Sequence, residues 1–289
     1  MPRLIVNADD FGLCSGVNRG IICLFQQGVL TSASIIVNQP GTREAVELAS
    51  QTPSLAVGVH LNLTTGRPLL PPHRVPTLVD EDGFFFSPLG LVARTITGRT
   101  EKQHILQELE AQIEFCYRAG LQLTHLDTHC QIHALPPIGS IVLQLARRYE
   151  IPGIRSPRVF AAIVPYAHKW MQRIGHQLGL SGSRRQVETM AAGPAGPTIT
   201  WNGLTTTHYL LDLRWWLGDS FFEDLEQTIS ALGNRTTEVV SHPGFVDDEL
   251  ATLSDYVQGR EEEVRLLSNR RFNDMLDRLG AVLTNYGGL

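Results

Sequence analysis

Apolar and polar positions along the chain switch repeatedly between two periods. The run Arg3-Leu-Ile-Val-Asn-Ala8 is short and apolar and stops at a polar cluster and Gly12, which predicts a buried strand. From 16 to 27 the apolar residues recur at helical spacing, with Val17, Ile21, Leu24 and Phe25 on one face. The pair then repeats, with a β-branched strand over 32–37, a helix over 41–51 and a strand over 55–60. Strong helix formers fill 101–120, where Ile105, Leu106, Leu109, Ile113 and Phe115 are the apolar positions. A strand over 123–127, a helix over about 138–149 and short strands at 153–156 and 238–241 follow.

Strands alternating with helices build parallel βα units, and enough of them form either a barrel or a doubly wound sheet. Two stretches break the rhythm. Residues 65–100 are rich in Pro, Gly and Phe, and 182–209 contain Gly193-Pro194-Ala195-Gly196-Pro197. Loops of this length often act as lids or substrate walls. With 289 residues, 43% of them hydrophobic, the whole of 1–289 is expected to form one domain carrying these two excursions.

Charge and cysteine usage narrow the class. A net charge of −5 and a pI near 6.1 argue against nucleic acid as a partner. Cys14, Cys23, Cys116 and Cys130 form no CxxC pair and read as reduced thiols. Residues 1–10 lack the pattern of a secretory signal, and no run of about 18 apolar residues appears, so no membrane span is expected and a cytoplasmic location is.

Chemistry concentrates at the predicted strand ends, where parallel folds gather their functional residues. Asp9-Asp10, His60, the segment 125–133 and His242 all lie at such ends. Adjacent Asp9 and Asp10 face opposite ways on a regular strand, but a turn beginning near Gly12 lets both reach one pocket. Two carboxylates so close repel unless a cation sits beside them. In Thr124-His-Leu-Asp-Thr-His129 the side chains of His125, Asp127 and His129 share one strand face. His133 shares it only if the strand continues, which Pro136-Pro137 argues against. His60 lies in an apolar context that suits a core residue or a ligand equally, and His242 before Pro243-Gly244 suits a strand mouth or a turn. One carboxylate and two imidazoles leave positions open for water and substrate, the pattern of a catalytic divalent metal, zinc or magnesium. Arg155 and Arg158 read as substrate contacts or surface charges. Trp170, Trp201, Trp215 and Trp216 read as sugar-stacking surfaces or core, and Phe84-Phe85-Phe86 as an apolar approach or a loop anchor.

Asn7-Ala-Asp-Asp-Phe-Gly12, Leu30-Thr-Ser-Ala-Ser34, Gly58-Val-His-Leu61, Thr124-His-Leu-Asp-Thr-His129 with His133, and Ser241-His-Pro-Gly-Phe245 together resemble the YdjC-like carbohydrate deacetylase family. That family includes chitooligosaccharide and hopanoid-biosynthesis-associated deacetylases. The resemblance implies a distorted, TIM-like (β/α) barrel and hydrolysis of an N-acetyl group on an amino sugar or oligosaccharide. It also implies Asp10, His60 and His129 as metal ligands and Asp9 as the base, with His125 behind the ligands. His242 then protonates the departing amine, and His133, Asp127 and Arg155 are the candidates for substrate contact. Cys130-Gln131 stands where the family motif usually carries another His or Gln. A homodimer is what the resemblance suggests. Hydrolysis of another amide or ester, or a non-catalytic carbohydrate-binding or regulatory protein that keeps a remnant site, are the alternatives.

Overall fold

A computed structural model describes residues 1–155, 199–201 and 203–289. The βα rhythm continues through β1 (Arg3–Phe11), α1 (Ser15–Gln26), β2 (Ser32–Ile35), α2 (Thr42–Gln51) and β3 (Ala56–Leu61). It resumes with α4 (Lys102–Arg118), β4 (Leu123–Thr128), α5 (Pro136–Arg148) and β5 (Gly153–Ile154). These strands lie in one curled sheet of order β6-β7-β5-β4-β3-β2-β1-β9-β8, parallel throughout except that β6 (Ile199–Trp201) runs antiparallel to β7 (Leu204–Thr206). The path is open between β8 (Tyr209–Asp212) and the β6-β7 edge, so the result is a distorted (β/α) barrel. Every residue of β2, β3 and β9 (Thr236–Ser241) is buried, as parallel strands covered on both faces must be.

Several stretches depart from the sequence reading. The first excursion contains α3 (Pro88–Ile96), and its Phe85 is buried as an anchor while Phe84 lies 43% exposed under the Arg67 guanidinium. Of the second excursion, the part from 199 onward contributes β6, β7 and the start of β8; Arg158 and Trp170 lie outside the described residues. Trp216 is 3% exposed and packs in the core, so it offers no stacking surface. Beyond β8 come α6 (Phe221–Leu232), β9, α7 (Asp248–Leu253), α8 (Gln258–Leu267) and α9 (Arg270–Leu279). The last strand, β10 (Val282–Leu283), pairs with the start of β1. No helix of the described residues is long and apolar enough to cross a membrane.

One glycine is demanded by packing. A Cβ on Gly58 in β3 would lie 2.4 Å from the His125 ring, which is itself sandwiched against Tyr286 at 4.0 Å between ring centroids. Neither ring can retreat. Gly58→Ala is therefore expected to cost about 1–3 kcal/mol of stability through overpacking, read as a lower Tm. An unchanged Tm would show that the barrel floor is not packed in this way.

Candidate metal centre and active site

The strand-end residues converge because β1 breaks its own alternation. Asp10 has φ 65, in the left-handed region, and the β1–β2 register shifts between Ala8 and Phe11. This bulge turns both carboxylates to one side. The residue that bends the chain is Asp10 itself, ahead of Gly12, and holding a non-glycine residue in that conformation is a strain of about 1–3 kcal/mol. β4 ends in a similar device. Cys130 and Gln131 have φ 56 and 53, and they swing the chain away immediately after His129. Pro136-Pro137 then open α5, where the missing N–H groups are not needed.

Along β4 the three alternate residues form layers. His125 lies deepest, fully buried, with Nε2 3.1 Å from Ser34 Oγ. Asp127 is next, also fully buried, accepting from Ser34 Oγ at 2.6 Å and from His60 Nδ1 at 2.8 Å. His129 is uppermost and partly exposed, its Nδ1 3.1 Å from Asp10 Oδ1. With Nδ1–H of His60 donated to Asp127, Nε2 faces Asp10 Oδ1, 3.6 Å away, and Asp9 Oδ2, 3.8 Å away, where a neutral ring would offer its lone pair to an ion. A carboxylate that fixes the tautomer in this way is a recurrent support for a metal-ligating histidine.

Asp10, His60 and His129 each offer a ligand atom, and these atoms lie within 4.8 Å of one another. One oxygen and two imidazole nitrogens at that spacing fit a divalent ion. A second group, Asp9, His60 and Asp127, is equally close, but Arg155 Nη2 already stands 2.6 Å from Asp9 Oδ1 and 2.8 Å from Asp127 Oδ2. The cation of that group is the guanidinium.

Arg155 and Asp127, expected to touch substrate, have no solvent-exposed surface. Arg155 follows β5 and forks onto Asp9 through Nη1 and Nη2 at 2.8 and 2.6 Å, while Nε and Nη2 donate to Glu238 Oε1 at 2.9 and 2.8 Å. Neither side chain is free for a sugar, and both brace the residues that line the site. His133, in the turn after β4, is 2% exposed, with Nδ1 2.6 Å from Thr128 Oγ1 and Nε2 buried without a hydrogen-bond partner among the described residues. Burial first, and then Arg155 nearby, push its pKa down to about 4. His242, 6% exposed at the end of β9, has Nε2 3.8 Å from Asp9 Oδ2.

Arg260 on α8 escaped the sequence reading. Its Nη2 donates to Asp10 Oδ2 at 2.7 Å, yet it opens the run Arg260-Glu-Glu-Glu263 and looks like any solvated helix charge. Glu238 left a clearer signal, a single carboxylate inside the β-branched run Thr236-Thr-Glu-Val-Val240.

Comparisons with known proteins identify the family. The family model described as YdjC-like protein matches residues 3–278. The chain belongs to the YdjC-like family. A carbohydrate deacetylase of Brevibacillus brevis is 34% identical over 92% of this chain and 91% of its own length. Another carbohydrate deacetylase, from Geobacillus stearothermophilus, is 33% identical over 99% and 98%. A crystal structure from Enterococcus faecalis, provisionally described as a cellobiose-phosphate cleavage protein, superposes with a TM-score of 0.75 at 27% identity, covering 99% of this chain and 97% of the other. That structure shares the barrel over nearly the whole length of this chain.

The strand-end cluster buries more carboxylates than guanidiniums. The buried carboxylates of Asp9, Asp10, Asp127 and Glu238 face two buried guanidiniums, Arg155 and Arg260. Burial opposes a charged His129, but Asp10 outweighs it and raises the imidazole to about 10. Burial likewise opposes a charged His60, and Asp127, Asp9 and Asp10 overcome it and raise its pKa. Protons on these rings supply the positive charge that an ion would bring. An incoming ion must expel them, so affinity strengthens as pH rises toward about 10, by about tenfold per pH unit for each proton displaced. Calorimetry in buffers of differing ionisation enthalpy is expected to show about one to two protons released per ion at neutral pH. Zero release would contradict the ligand set.

Proposed function

We propose that this protein removes the N-acetyl group from an acetylated amino sugar or oligosaccharide, using one divalent ion held by Asp10, His60 and His129. The observation that carries the reading is the convergence of Asp9 and His242, Oδ2 and Nε2 3.8 Å apart, beside those three ligands. A base and an acid flanking an ion site is what amide hydrolysis needs, because the nitrogen leaves only when protonated. The relatives named carbohydrate deacetylases support the substrate class. When bound, the ion polarises the acetyl carbonyl and makes water more acidic. Two imidazoles among three donors suit zinc better than magnesium, which prefers an all-oxygen shell.

The chain's own groups then move the protons. Asp9, held bidentately by Arg155, accepts a proton from the attacking water. Resting His242 is neutral, since burial first and Arg214 next hold its pKa well below 6.5. The proton it delivers to the amine must therefore reach it during the reaction, and Asp9 Oδ2 is the nearest source. The C–N bond breaks as the hydroxyl of water joins the acetyl carbon and the other proton of water passes through Asp9 and His242 to the amine nitrogen, so both side chains end as they began. A cytoplasmic location is part of the proposal, in keeping with the four unpaired thiols.

Two classes of variant separate binding from proton transfer. Asp10→Ala and His129→Ala are expected to lose bound metal and acetate release together, measured by elemental analysis and on a panel of N-acetylated sugars. Asp9→Asn and His242→Gln are expected to keep the metal and lose about 100-fold or more in kcat. Retention of both metal and activity in His129→Ala would remove the ligand assignment.

A further inference from the structure

The proton path leaves one question about His242, namely what sets which ring nitrogen carries its hydrogen. A neutral imidazole that takes a proton on Nε2 must hold its hydrogen on Nδ1. Among the described residues Nδ1 is buried without a hydrogen-bond partner, and its nearest carboxylate is Glu263 Oε1 at 4.0 Å. Glu263 is fully buried on α8, unlike its neighbours Glu261 and Glu262 in the same acidic run. Its Oε2 accepts the backbone N–H of His242 at 2.6 Å, and its Oε1 accepts the Tyr256 hydroxyl at 2.6 Å. The other charged groups around the ring are Asp9 from β1, Asp212 and Arg214 after β8, and Arg260 one turn before Glu263. Asp9 lies on the Nε2 side, Asp212 is engaged by Arg214 and Arg260 by Asp10, so Glu263 Oε1, 4.0 Å away, is the nearest carboxylate oxygen on the Nδ1 side.

We propose that Glu263 is a positioning residue for His242, pinning its backbone through Oε2 and drawing the ring hydrogen to Nδ1 through Oε1, so that Nε2 is left open toward Asp9. This rests on the reading of His242 as the group that protonates the amine. α8 then supports the site with two residues one turn apart, Arg260 behind the ligand Asp10 and Glu263 behind His242.

The test is 15N NMR of histidine-labelled, zinc-loaded protein, which reads the tautomer directly, with His242 assigned by its loss in His242→Gln. Wild-type His242 is expected as the Nδ1–H form. Glu263→Gln places an amide N–H donor where Oε1 stood, and is expected to move His242 toward the Nε2–H form. Its kcat on N-acetylglucosamine oligomers is expected to fall about tenfold with KM within about twofold, because substrate contacts are untouched. Tyr256→Phe leaves the carboxylate in place and is expected to keep the Nδ1–H form. A wild-type Nε2–H tautomer, or a tautomer unmoved by Glu263→Gln, overturns the proposal whatever the activity. Full activity in His242→Gln, with the tautomer still responding to Glu263, would instead overturn the acid reading and leave the positioning contact standing.

Discussion

A single buried guanidinium organises the floor of this barrel. Arg155 joins Asp9 from β1, Asp127 from β4 and Glu238 from β9, three strands that share no neighbour contact with one another except β1 with β9. Through Asp127 it fixes the tautomer of His60, and through Asp9 it sets the position of the proposed base. Each of these charges is out of water, so removing one partner strands the others at a cost of about 3–5 kcal/mol. Such a network adds little net stability over an apolar core, and its value here is geometric. A fork of five fixed donors holds carboxylate planes as lysine could not.

Charge then accounts for the upper layer. Asp10 meets Arg260 on one side and faces His60 and His129 on the other, with Asp9 next to it in sequence. The strained backbone at Asp10 keeps both carboxylates on one side against their repulsion. Protons satisfy this arrangement when no ion is present, and an ion satisfies it with directed bonds. The same concentration of negative charge therefore explains both the raised imidazoles and the capacity for a divalent cation.

Much of this was legible in the sequence where periodicity carried it. The helices over α1, α2, α4 and α5 and the strands β1 to β5 follow from apolar spacing, with ends displaced by a few residues. Depth was not legible. Alternation places His125, Asp127 and His129 on one face, yet says nothing of which layer reaches the mouth, and Asp127 lies beneath His60 rather than at the mouth. Arg155 was misplaced because a lone arginine after a strand looks the same whether it meets water or three carboxylates. Arg260 and Glu263 were hidden for the opposite reason: both sit in a charged helical run whose other members are solvated, and only the packing of α8 against the β1 and β9 ends singles them out.

The central claim is that Asp10, His60 and His129 form the ion site and that Arg155 occupies the neighbouring cluster. Anomalous diffraction from zinc-loaded crystals tests it most directly. The account predicts one peak bonded to Asp10, His60 Nε2 and His129, with His60 Nδ1 still on Asp127 and Arg155 still forked on Asp9. A peak among Asp9, His60 and Asp127 with Arg155 displaced, or no peak at the strand ends, would contradict it.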